Sequence, residues 1–271
     1  MEARGVAVNR GMNGEGHIMR AVMRQAVIAL AGAVALGLIA AGAAWAQDTG
    51  LTSILQTKHN LSTSGSGAIH VTSGTGEVCV FCHTPHGADT TVAAPLWNRA
   101  INTSGGYTLY NSPTLDAAPT QPTGVSLACL SCHDGTIAFD ALRNLPGSGG
   151  FTETPSADGT SNWTFIGTTG KKMPAGITLI GTDLSNDHPV SMTYLDARSP
   201  SSTVGDGSTA YTVGFKPVLA GDLIGTGGVR LYTGQVQCAS CHDPHRANTQ
   251  TFLRVDNTGS ALCLTCHKKD G

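Results

Sequence analysis

Cys79-Val80-Phe81-Cys82-His83-Thr84-Pro85-His86 and Cys238-Ala239-Ser240-Cys241-His242-Asp243-Pro244-His245 spell one pattern, C-x-x-C-H-x-P-H, twice in the same chain. Shorter copies stand at Cys129-Leu130-Ser131-Cys132-His133 and Cys263-Leu264-Thr265-Cys266-His267, so four motifs take up all 8 cysteines. C-x-x-C-H is the attachment signature of a c-type haem. Two thiols one helical turn apart add to the two vinyl groups of one porphyrin, and the adjacent histidine is held beneath the iron. The covalent positions are therefore Cys79, Cys82, Cys129, Cys132, Cys238, Cys241, Cys263 and Cys266, and the proximal ligands His83, His133, His242 and His267. Two rival readings are weaker. A disulfide scaffold is denser in cysteine than this chain. Zinc ribbons use paired C-x-x-C but do not require a histidine after every second cysteine.

An iron with one protein ligand is open to substrate; one with two is closed. Beyond the four proximal histidines and His17, five of the 10 histidines remain: His59, His70, His86, His188 and His245. His86 and His245 each follow a proximal histidine by three residues, too close to reach the other face of the same porphyrin but able to reach a neighbouring one. That spacing implies close-packed haem pairs, with the intervening proline fixing the chain direction.

Working outward, a repeat becomes visible. His59, the motif at 79–86 and the motif at 129–133 are followed by His188, the motif at 238–245 and the motif at 263–267. Each half supplies two attachment sites and two further histidines, so His59, His86, His188 and His245 are expected as distal ligands. His70 has no counterpart in the second half and reads as a structural or surface residue, and neither Met173 nor Met192 recurs as an axial candidate. With every iron closed by two histidines the expected role is electron transfer, not an enzyme's chemistry, at low potential because methionine ligation is absent.

At the N-terminus, Arg20 and Arg24 precede an apolar run that ends in Ala44-Trp45-Ala46. A charged start, an apolar stretch and small residues at a cleavage point mark a secretory signal peptide over 1–46. The expected location is the cell exterior, at the cell surface or in the extracellular space, with the periplasm as the alternative. Four of the 16 Lys+Arg and two of the 18 Asp+Glu lie in that segment, which leaves 12 against 16 and a net charge of −4. Nucleic-acid binding would want a basic footprint. After the signal no apolar run reaches spanning length, so no membrane span is expected in the exported chain.

The exported chain is thin in core formers, with Trp97, Trp163, six Phe and five Tyr among many Gly, Ser and Thr. The expected fold is a multihaem cytochrome c: mostly irregular coil, short helices beginning at the haem sites, a few short β-hairpins, all packed around four haems. Its halves are 47–145 and 146–271, each a dihaem unit. Ser260 is the expected cap of the last helix, Gly228–Tyr232 and Gln235–Cys238 a hairpin about Thr233-Gly234, and Ile177–Ile180 and Tyr211–Val213 short strands.

Lys58-His59-Asn60-Leu61-Ser62, the stretch Cys79–Gly87, Ala94-Pro95-Leu96-Trp97-Asn98, Leu184–Ser191 and Val236–His245 together resemble the tetrahaem members of the doubled C-x-x-C-H multihaem cytochromes. The resemblance spans roughly 55–269 and is greatest to the filament-forming extracellular members. It implies four haem c groups in a continuous stack and a head-to-tail homopolymer, with one axial histidine donated across the subunit boundary. His59, on a polar N-terminal segment, is the donor it points to. Other partners would be redox proteins or an extracellular electron acceptor.

Overall fold

Three of the four motifs fold as a single turn of helix, because a C-x-x-C-H only has to bring its first carbonyl under its histidine. The turns are a 3-10 helix at Cys79–Phe81 and two short α-helices, Cys238–Cys241 and Cys263–Cys266. In each, the histidine amide donates back to the first cysteine carbonyl: His83 to Cys79 at 2.8 Å, His242 to Cys238 at 3.1 Å and His267 to Cys263 at 2.9 Å. The second motif differs. Gly124–His133 forms a ten-residue helix, α1, and its C-x-x-C-H closes that helix rather than opening it. Leu, Ala and Ser upstream of Cys129 carry the helix to the motif. It stops at Gly135, whose φ of 73° suits the left-handed position beyond a helix end. The helices at Cys238–Cys241 and Cys263–Cys266 are α2 and α3.

The computed structural model describes residues 54–102, 106–113, 115, 117–194, 215–216, 218–219, 222–224, 228–246 and 251–268. All of them belong to one unit, Gly50–Gly271. The segment 1–46, expected as a signal peptide, and the strand expected at 211–213 lie outside the described residues. Among the described residues no helix is long and apolar enough to cross a membrane.

Most of the chain is coil and turn, and the sheets are minimal. Strand β1 (His70–Ser73) pairs antiparallel with β2 (Thr164–Ile166), so a strand of the first half holds one of the second. Strand β3 (Met192–Thr193) pairs with β7 (Gln235–Val236). Strands β4 (Val218–Leu219), β5 (Leu223–Ile224) and β6 (Val229–Arg230) form a third sheet in that order.

The hairpin expected at 228–238 has its turn but not its pairing. Thr233 and Gly234 have φ of 52° and 76°, the twist of a two-residue hairpin turn. Tyr232 and Gln235 exchange both backbone hydrogen bonds, at 2.9 and 3.0 Å. The flanking strands then separate, β6 to β5 and β7 to β3. Ile177–Ile180 is not a strand. Its backbone is taken by His133: the Ile180 and Gly181 amides both donate to the His133 carbonyl, at 2.8 and 3.1 Å. Nor does Ser260 cap α3. It lies in a 3-10 turn at Thr258–Ser260 with φ of 65°, and α3 begins after Leu262.

The buried side chains fall into small separate groups. Leu61, Val71, Val80, Phe81, Phe139 and Leu142 pack together against Cys82 and Cys132. Met192, Tyr194, Ile224, Leu231 and Val236 pack against Phe215 and Cys266. Both lie directly against attachment cysteines, which sets the motifs on the little core the chain has.

Candidate haem sites

No disulfide joins any of the eight cysteines. Their surroundings show the motifs as neighbours. Burial, and next the nearby Cys132, pushes the Cys82 thiol up to about 12. Burial, and next Cys241, pushes Cys266 up to about 11. Cys129 donates a hydrogen bond to Cys238, which draws the Cys238 thiol down to about 7 and raises that of Cys129. The first motif thus lies near the second, the second is bonded to the third, and the third lies near the fourth.

Beside the Cys129–Cys238 hydrogen bond, the second and third motifs are joined through Gln237 and Ser126. Gln237 is 2 % exposed, immediately before Cys238. Its Oε1 accepts from the Ser126 amide at 3.2 Å and from Ser126 Oγ at 2.5 Å, satisfying an otherwise unpaired amide in the first turn of α1. Ser126 Oγ in turn accepts from the Cys238 amide at 3.0 Å.

Three of the four expected proximal histidines are oriented by main-chain acceptors. Nδ1 of His83 donates to Pro95 O at 2.6 Å, that of His133 to Thr178 O at 2.8 Å, and that of His242 to Thr251 O at 2.8 Å. A ring anchored through Nδ1 presents Nε2 as the ligand, the usual support of a metal-bound histidine. Around His83 and His242 the clamp is the same structure made twice. Asn98 N donates to Cys82 O and Arg254 N to Cys241 O, at 2.9 and 2.8 Å. Thr84 N donates to Leu96 O and Asp243 N to Phe252 O, at 2.9 and 2.8 Å. Leu96 and Phe252 share a left-handed backbone, with φ of 53° and 59°. Leu96 and Phe252 are branched and aromatic side chains at a position that costs strain outside glycine, so the clamp overrides the local preference in both copies. The fourth motif has a partial version, with Lys216 N on Cys266 O at 2.8 Å.

Two of the four expected distal histidines, His245 and His59, have their rings close to expected proximal ones. His245 and His83 have ring centres 6.3 Å apart and planes 17° from parallel. His59 and His133 have ring centres 6.2 Å apart and planes at 59°. A metal–imidazole bond of about 2 Å on each side, with the half-width of each ring, spans about 6 Å between ring centres, and both separations match that span. His59 is half-buried against Phe252, 4.6 Å between ring centres. Burial first, then His133, holds His59 down to about 4. His188 lies near His267, whose ring is held below its ordinary range by burial first and by His188 second. His86 is exposed, its carbonyl bonded by Thr84 and Asn144.

The other candidates are occupied elsewhere. His70 opens β1 and its Nδ1 lies 2.8 Å from Gly67 O. Met192 is in the core, and Met173 Sδ accepts from Thr178 Oγ1 at 3.5 Å. Among the described residues no group of three or more His, Cys, Asp and Glu gathers as a direct metal site. Trp97, 6 % exposed and edge-on to His83 at 6.2 Å, buries an indole N–H that has no acceptor in the protein. Beside a proximal histidine that donor suits a haem carboxylate, and the residues present fit haem c.

Residues 232–271 match the family model of the doubled CXXCH motif. The doubled CXXCH segment supports a multihaem c-type cytochrome, with haem c bound covalently and electron transfer as its chemistry. No curated protein matches the chain. The mostly coil fold, with short helices and small antiparallel sheets, agrees with such a protein. Sequence reading did not identify the supports: Pro95, Thr178 and Thr251 act through their carbonyls, which any residue type supplies, and Gln237 and Trp97 act through partners distant in the chain. Only the repeated position after each C-x-x-C-H-x-P-H motif was available as a signal.

Proposed function

We propose that this protein carries electrons through four haem c groups, each iron closed by two histidines. The observation that carries the reading is the near-parallel pair His83 and His245 at 6.3 Å, contributed by different halves of the chain. The distal assignment follows. His245 serves the haem of His83, His59 that of His133 and His188 that of His267. The repeat leaves His86 for His242, the reciprocal of His245 for His83. The bound haem supplies a reversible one-electron centre. The chain orients the axial rings through backbone carbonyls, excludes substrate from the iron and sets the spacing between neighbouring groups. It is not an enzyme on this reading.

Resemblance of the motifs to extracellular filament cytochromes supports an exported chain that polymerises head to tail and discharges to an extracellular acceptor. One observation favours a discrete periplasmic carrier instead: His59 stands beside His133 of its own chain, so it need not serve a neighbour. Purified protein should hold four haems by pyridine haemochrome and bind no carbon monoxide when reduced; fewer haems, or a carbon monoxide shift, rejects the four-centre reading. Electron microscopy of material sheared from cells then separates the assemblies. Haem-rich filaments containing this chain support the polymer, and particles confined to the periplasm support the carrier.

A further inference from the structure

The turn that delivers His245 carries a charge that the turn delivering His86 lacks. Asp243 sits between His242 and Pro244, largely buried, with 14 % of its side chain exposed. Its Oδ1 accepts from the His245 amide at 3.1 Å and faces His245 Nδ1 at 3.3 Å. Its Oδ2 lies 3.2 Å from Arg254 Nη1 and 3.5 Å from Arg246 Nε. At the matching place in the first copy stands Thr84, a neutral hydroxyl that donates to His86 O at 2.9 Å. The anchored proximal rings, His83, His133 and His242, donate Nδ1 to neutral carbonyls.

We propose that Asp243 is the residue that sets the potential of the haem held between His83 and His245, through a hydrogen bond from His245 Nδ1 to its carboxylate; this rests on the bis-histidine reading above. With Nε2 on the iron, Nδ1 carries the proton and is the donor. A carboxylate acceptor leaves more negative charge on the imidazole than a carbonyl does. That stabilises ferric over ferrous iron and lowers the potential. The charged groups facing His245 are Asp243 and, through it, Arg246 and Arg254; the neighbouring rings are His83 and His59. The two guanidiniums oppose the carboxylate, so its effect is read by removing it. Asp243→Asn both weakens the acceptor and leaves two cations uncompensated, and the two effects act in the same direction.

The test is a spectroelectrochemical titration of the full haem-loaded chain, wild type against Asp243→Asn and Asp243→Glu, with haem count and carbon monoxide binding measured on each. Asp243→Asn should move one of four components to higher potential while the other three stay. The moving component should carry the electron-spin signature of near-parallel axial rings, and Asp243→Glu should stay near wild type. Should Asp243→Asn fail to load or fold, Arg254→Gln removes an opposing cation and should lower that same component. Four unmoved components in a variant with four closed haems overturn the inference and leave the parent reading intact. A uniform drift of all four also overturns it, because that is what a general loosening does. A wild-type protein with fewer than four haems or with an open iron instead rejects the parent reading, and the inference with it.

Discussion

The two C-x-x-C-H-x-P-H turns share a backbone and differ in what locks it. Both place a histidine under the same carbonyl clamp, with a left-handed Leu96 in one and Phe252 in the other. In the first turn the lock is neutral. Asn144 Nδ2 donates to Thr84 Oγ1 at 3.0 Å and to His86 O at 2.5 Å, and Asn98 Nδ2 donates to Val80 O at 2.7 Å and Asn144 O at 2.9 Å. In the second turn it is ionic. Where Asn98 stands in the first, Arg254 bonds Ala239 O at 2.8 Å, Tyr232 OH at 3.2 Å and Asp243. Beyond the second histidine the paths differ too: Gly87 takes a φ of 63° where Arg246 folds back onto Asp243. One backbone geometry therefore accepts either chemistry, and the choice of side chains is free to serve the group that the turn presents.

The largest effect should come from taking the delivered histidines away. His245→Ala and His86→Ala should each open one iron of four, read as carbon monoxide binding to a quarter of the haem. If only His245→Ala does so, the two turns do not exchange ligands reciprocally and the equivalence fails. Next are the locks. Arg254→Gln strips Asp243 of its nearest cation and should destabilise by about 3 kcal/mol, whereas Asn144→Ala leaves neutral groups short of donors and should cost about 2 kcal/mol. Thermal melts of the haem-loaded proteins compare them, and a larger loss for Asn144→Ala would reverse the ranking of ionic over neutral lock.

Gly87→Ala comes third. A Cβ there would sit 2.7 Å from Phe151 Cε2 in a left-handed backbone, so about 1–2 kcal/mol is expected; an unchanged melt would show that the first turn does not need its glycine. The smallest effect is Arg143→Gln. Arg143 holds Gly87 O at 3.0 Å and pairs with Asp89 at 3.3 Å. About 1 kcal/mol is expected at low salt, and it should shrink as salt is raised, unlike the Asn144 loss.

How legible these features were depends on what made them. The haem motifs were readable because covalent attachment demands fixed residue types at fixed spacing. The Thr233-Gly234 turn was readable because its two positive φ values favour glycine locally. Which strands the turn would join was not, since β6 and β7 choose partners by burial across the unit, Val229 beside Ile224 and Val236 beside Met192. Likewise α1 was expected to begin at its cysteines. It begins five residues earlier because Gln237, more than a hundred residues away, satisfies its first turn. Asp243 was visible as the variable letter in C-H-x-P-H, but Arg254 has no motif of its own and declares itself only through the clamp.

The Gln237 bridge has a consequence for how the molecule matures. The enzyme that fastens haem to a C-x-x-C-H must reach both thiols and the histidine on an open chain. Once Gln237 is seated on Ser126 and the Cys238 amide is bonded to it, the second and third motifs are held side by side. A chain loaded before that bridge forms offers each motif separately, so the bridge couples the order of haem loading to the order of folding.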